Sequence, residues 1–93
     1  MQNAIHSIVN EVPKGCIFDS HFVINELVKR FSDEYLSFAG NYVINNPNIT
    51  LTTHGQIGKE INKFDGTILR KIGDAWSENI HKNPSKCTCW EKL

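Results

Sequence analysis

The chain has 93 residues, 40% of them hydrophobic and 22% charged, with 10 Lys and Arg balanced by 10 Asp and Glu. That length supports one hydrophobic core and not two, and the composition excludes a disordered segment, a collagen-like repeat and a polycation steered to nucleic acid from a distance. The charge is nonetheless uneven: residues 1 to 58 hold three basic groups against five acids, a balance of −2, and residues 59 to 93 hold seven against five, a balance of +2.

No segment approaches the roughly 18 consecutive apolar residues of a spanning helix. The N-terminus lacks a basic head followed by an apolar run, so nothing suggests export or a membrane. Cys16, Cys87 and Cys89 cannot all pair within one chain, and a bridge between Cys87 and Cys89 would close a strained loop. Reduced thiols and a cytoplasmic setting are the simpler expectation.

Ile5, Ile8, Val9 and Val12 recur at helical spacing until Pro13 and Gly15 stop the pattern, which predicts a short first helix within residues 2 to 11. Asp19 and Ser20 can each cap the next segment, where Phe22, Val23, Leu27, Val28 and Phe31 form an apolar face. Ser32, Asp33 and Glu34 read as a fresh helix start that carries Tyr35, Leu36, Phe38 and Ala39 toward Gly40. Asn45 to Asn48 is turn chemistry, and the β-branched run from Ile49 to Thr52 predicts one short strand.

Thr53 and Gln56 have capping-box spacing, so a helix is expected to open at Thr53 and to bury Ile57, Ile61 and Phe64. Asp65 and Gly66 break it. Thr67 can cap a following helix in which Ile68, Leu69, Ile72, Ala75 and Trp76 resume the apolar period. Beyond Trp76, a turn at Lys82-Asn83-Pro84-Ser85 with candidate strands on either side predicts a β-hairpin. Cys87 and Cys89 should share one face of it, and Thr88 and Trp90 the other, with Trp90 covering a helix.

A capped helix, a short strand, two helices with a tight turn and a C-terminal hairpin together resemble the winged-helix variant of the helix-turn-helix fold. The resemblance covers about residues 20 to 92. Gly58 matches the small residue in the middle of the first helix of the pair, and Thr67, Ile68 and Leu69 match the opening of the second. It implies a mainly α fold with a small β-hairpin, an N-terminal helical arm over residues 1–19 and a winged-helix domain over 20–93, the whole forming one compact unit.

The function implied is a small non-enzymatic regulator of transcription that binds double-stranded DNA. The helix from Thr67 would be the recognition helix, with Thr67, Arg70 and Lys71 in the major groove. Arg70 suits guanine, since a guanidinium can bond it bidentately, whereas Lys59, Lys63 and Lys71 suit phosphates. Thr53 and Gln56 could hold a backbone phosphate at a helix start, and Lys82, Asn83 and Lys86 would lie on the wing. Apolar residues of the N-terminal half could form a homodimer contact and so double the phosphate contacts of a weakly basic monomer.

Two other functions compete. The same fold can serve as a protein-protein adaptor through its N-terminal helices or hairpin. A small metal-binding domain is the weaker alternative: Cys87 and Cys89 with His81 and a remote Cys16 or His54 have the right donor types for zinc but poor spacing. Catalysis finds no support. Asp19, Ser20 and His21 are sequence neighbours better explained by a helix cap, and Gly55-Gln56-Ile57-Gly58 lacks the rest of a phosphate loop, so neither a catalytic residue nor a cofactor is expected.

Overall fold

A computed structural model describes residues 1–43 and 47–93 of the chain. The order of elements is α1 (Gln2–Asn10), β1 (Ile17–Asp19), α2 (Ser20–Arg30), α3 (Ser32–Ala39), a single 3-10 turn (Gly40–Tyr42), α4 (Ile49–Asn62), β2 (Leu69–Glu78) and β3 (Pro84–Lys92). The three strands form one antiparallel sheet in the order β1-β3-β2. It is an α+β fold of four helices and a small sheet.

α1 and α2 follow the sequence pattern; α3 spans the expected residues, but its N-cap is Phe31 and not Ser32, and Leu36, expected on its apolar face, is exposed. Ala4, Ile5, Ile8 and Val9 form one buried face of α1. The Asp19 carboxylate accepts the Phe22 backbone N–H at 2.8 Å and caps α2, whose Val23, Ile24 and Leu27 turn inward. Phe22, expected on that face, is exposed, and Ile24 takes its place. α1 supplies four of the twelve buried apolar residues of a core that also contains Phe18, Ile57, Ile61, Leu69 and Trp90. The apolar residues of α1 are thus buried within their own subunit, whereas Ile17, Phe22, Leu36 and Val43 of the N-terminal half are exposed.

The second half departs from the expected pattern in two places. Residues Ile49 to Thr52 are not a strand; they are the first turn of α4, which begins four residues before Thr53. Their β-branched character is overridden because Thr53, Ile57 and Ile61, spaced by four, bury one continuous helical stripe against the core. Of the turn expected at Asn45 to Asn48, Asn45 and Asn46 lie outside the described residues, while Pro47 and Asn48 are in a turn.

The helix expected from Thr67 is also overturned, because Leu69–Glu78 is strand β2, paired with β3 from Leu69↔Lys92 to Glu78↔Pro84. The apolar spacing had a helical look because the register slips between Lys71 and Gly73. A bulge adds one residue to a strand, so an alternating pattern interrupted once mimics a period of three to four. Thr67 caps no helix: its hydroxyl donates to the Phe64 carbonyl at 2.7 Å within the turn that Gly66, at φ 87°, makes possible. The Gly66 N–H closes that turn on the Leu69 carbonyl at 2.8 Å.

The C-terminal hairpin is present with longer arms than its turn chemistry implied, its tip running between Glu78 and Pro84. Trp90 is 1% exposed and its indole N–H donates to Ser20 Oγ, 3.4 Å away at the head of α2. Phe18 stands opposite Trp90 in the β1–β3 register, so the sheet meets the helices through these two rings. No described helix is long and apolar enough to cross a membrane.

Candidate nucleic-acid interface

α4 presents two unlike faces. One carries Thr53, Ile57 and Ile61 into the core. The other carries His54, Gly55, Gly58, Lys59 and Asn62 along the wall of a groove of about 740 Å³ whose opposite wall is the hairpin. The start of α4, from Pro47 to Leu51, also lines this groove, so the positive end of the helix dipole lies beside it.

The charges in the groove are all of one kind. Lys59 comes from α4, Lys71 from β2 and Lys86 from β3, and His21, His54 and His81 add three imidazoles. No aspartate or glutamate is among the described residues that line it. Among the described residues, these three lysines also form no ion pair, whereas Lys63 pairs with Glu60, Arg70 with Glu91 and Lys82 with Glu78. The arrangement can attract an anion from three directions at once.

His54 is the most perturbed group of the groove. Its pKa is lowered to about 4, first by burial and then by the neighbouring His81 and His21. It is therefore neutral at pH 7, and its Nε2 shares a hydrogen bond with the Tyr35 hydroxyl, 2.8 Å away. Burial in turn raises the Tyr35 pKa, which keeps the phenol protonated.

The residues expected from sequence are dispersed. Thr53 is fully buried in the second turn of α4, with no hydrogen-bond partner for its hydroxyl, and cannot reach a phosphate. Gln56 is half-buried on α4 outside the groove, and the Lys63 ammonium lies 2.7 Å from Glu60, whose pKa it lowers. Arg70 is tied to Glu91 through both Nε, at 3.1 Å, and Nη2. Lys82 and Asn83 occupy the hairpin tip, where Lys82 adopts φ 65° and the Asn83 N–H donates to Asn79 Oδ1.

Lys59, Lys71 and Lys86 alone among the residues expected to touch DNA line the groove. The histidines and Asn62 were missed. Once α4 starts at Ile49, positions 51, 55, 59 and 62 fall opposite Thr53, Ile57 and Ile61, with 54 and 58 flanking that stripe on the groove side, and that spacing is a signal the sequence contains. The role expected of Gly58 also changes, because a Cβ at Gly55 or Gly58 would meet nothing within 4 Å. Neither glycine is there to let another element pack.

No protein-family model matches the chain, and neither a curated protein nor a solved structure matches it significantly.

Proposed function

We propose that the chain is a DNA-binding domain of winged-helix type, with α4 as the recognition helix, the β2–β3 hairpin as the wing and the groove between them as the seat of the sugar-phosphate backbone. The reading rests on one observation: three lysines from three different elements, without acidic partners among the described residues, converge on a groove whose described lining contains no acid. A helix running into the β2–β3 hairpin, with β3 between β1 and β2 in the sheet, is the part of the winged-helix resemblance that supports this reading; the second helix of the pair, expected from Thr67, is strand β2 instead. The helix start beside the groove, where the positive end of the dipole favours a phosphate, supports it too.

The two glycines support the same reading. A helix loses about 1 kcal/mol for each interior glycine relative to alanine. Gly55 and Gly58 have open space where a side chain would go, so packing does not demand that loss, and a ligand that approaches the helix backbone closely does. Regulation of transcription in a cytoplasmic setting is the role we infer for such a domain. A protein-protein adaptor is the second reading, favoured by Leu51 in the groove's lining, 75% exposed, and by Trp76 on the hairpin, 71% exposed.

Titration of a labelled duplex at several salt concentrations separates the two. Three lysine-phosphate contacts give a slope of log affinity against log salt of about −3. Replacing Lys59, Lys71 and Lys86 together by alanine should remove most of that slope and most of the binding. Replacing Lys63, Arg70 and Lys82 together should change affinity by less than about threefold, since each already has an acidic partner. Absence of duplex binding at low salt, or equal weakening by the two triple variants with both folded by circular dichroism, would reject the proposal. Salt-insensitive capture of a stoichiometric protein partner, without duplex binding, would leave the adaptor.

A further inference from the structure

Asp19, His21 and Cys87 come together at the junction of β1, α2 and β3, each contributing a potential ligand atom, and these three atoms lie within 4.8 Å of one another. The sequence does not foreshadow this group. Asp19 and His21 are separated by one residue, but Cys87 arrives only because β3 pairs with β1, Asp19 standing opposite Cys89 in the register. All three side chains are half-buried, which leaves a route for an ion and shields the site from bulk water.

We propose that Asp19, His21 and Cys87 form a binding site for a zinc-class divalent metal ion. The donor set decides the class of ion: one carboxylate oxygen, one imidazole nitrogen and one thiolate sulfur suit Zn²⁺ and Co²⁺ and disfavour Mg²⁺ and Ca²⁺, which take oxygen ligands. Tetrahedral bonds of about 2.0–2.3 Å place ligand atoms about 3.3–3.8 Å apart. The cluster therefore has to contract by roughly 1 Å, within the range of small side-chain rotations.

The surroundings suit this role. Asp19 Oδ1 accepts the Phe22 N–H as the cap of α2, which fixes the carboxylate and leaves its other oxygen for the metal. Ser77 Oγ lies 2.5 Å from His21 Nδ1 and 3.6 Å from Cys87 Sγ, so its hydroxyl orients the imidazole and thiolate or occupies the fourth position. His21 and Cys87 line the groove, so that fourth position is accessible from it. Binding displaces the Cys87 thiol proton to solvent and links the head of α2 to β3.

Cys87, not its neighbour Cys89, is the thiol of this site. The Cys87 sulfur is the one that lies within 4.8 Å of both the Asp19 and His21 ligand atoms, and it is 3.6 Å from Ser77 Oγ. The site does not depend on whether the groove takes a nucleic acid, and it is tested with the metal alone.

Titrating the reduced, metal-free full chain with Co²⁺ should give saturation at one ion per chain and a thiolate-to-cobalt charge-transfer band that one equivalent of Zn²⁺ abolishes. The band should be absent in Cys87→Ser and retained in Cys89→Ser and Cys16→Ser. Asp19→Asn keeps the helix cap, since asparagine caps as well as aspartate, and should weaken Co²⁺ binding at least about tenfold without unfolding the chain. His21→Ala should weaken it similarly. No saturable binding by wild type, a band that survives Cys87→Ser, or equal loss in Cys89→Ser would overturn the proposal, the last by placing the ion on the cysteine pair.

Discussion

The two sides of α4 teach different lessons. On the core side, Thr53, Ile57 and Ile61 pack with α1, α2 and Trp90 into a closed interior. On the groove side, Lys59 stands without an acidic partner among the described residues beside two glycines with open space where their side chains would be. The first side is explained by burial. The second costs helix stability and is left by folding alone without a reason, which is why the functional reading belongs there. The same contrast separates the hairpin's two tryptophans, Trp90 at 1% exposure and Trp76 at 71%.

That contrast between tryptophans can be broken by experiment. Trp90→Ala should destabilise the protein by about 3–5 kcal/mol in urea unfolding, since it leaves a large void between sheet and helices. Trp76→Ala should change stability by less than about 0.5 kcal/mol. Similar losses in the two variants would mean that Trp76 is packed like a core residue and that the hairpin's exposed part is not a free surface.

A smaller effect, dependent on pH, lies at the boundary between the two sides. The folded pKa of His54, about 4, is below its ordinary 6.5, so between these values the unfolded chain binds more protons than the folded one. Its contribution is therefore fully present above pH 6.5 and lost as pH falls toward 4. Discounted for partial solvent access, the loss is on the order of 1–2 kcal/mol. His54→Gln should flatten the unfolding free energy across that window. It should leave the losses at lower pH, where Glu11 and Glu60, held below the usual carboxylate range by hydrogen bonds to Arg30 and Lys63, become protonated.

The smallest effect sharpens the functional half of the comparison. Gly55→Ala and Gly58→Ala should each raise stability by up to about 1 kcal/mol, because the new methyl groups meet nothing. Each should also weaken duplex binding through the groove. Stabilisation with unchanged binding would show that no ligand approaches the backbone there and would leave the lysines alone to carry the interface.

Much of the fold was legible because local chemistry and burial agree over α1 and α2, where apolar spacing, joined in α2 by the Asp19 cap, points to the buried faces. It became illegible where they disagree. Ile49 to Thr52 has strand propensity but joins a helix through the stripe continued by Thr53 and Ile57, and β2 hides its alternation behind a bulge between Lys71 and Gly73. Misplacing α4 by one turn was enough to put its groove face out of view. Arg70 looked like the best base reader because its partner Glu91 lies 21 residues away in sequence, and only the strand register brings them together.

The sequence by itself determined that the chain forms one core, that amphipathic helices, one of them capped by Asp19, precede a hairpin, and that the basic excess lies after residue 58. These follow from composition, periodicity and turn chemistry, all short-range properties. Only the tertiary structure decided which lysines are neutralised and which converge, and that Cys87 meets Asp19 and His21. Ion pairing and ligand geometry are set within about 4–5 Å in space, a distance that sequence separation does not encode once strands pair across the fold.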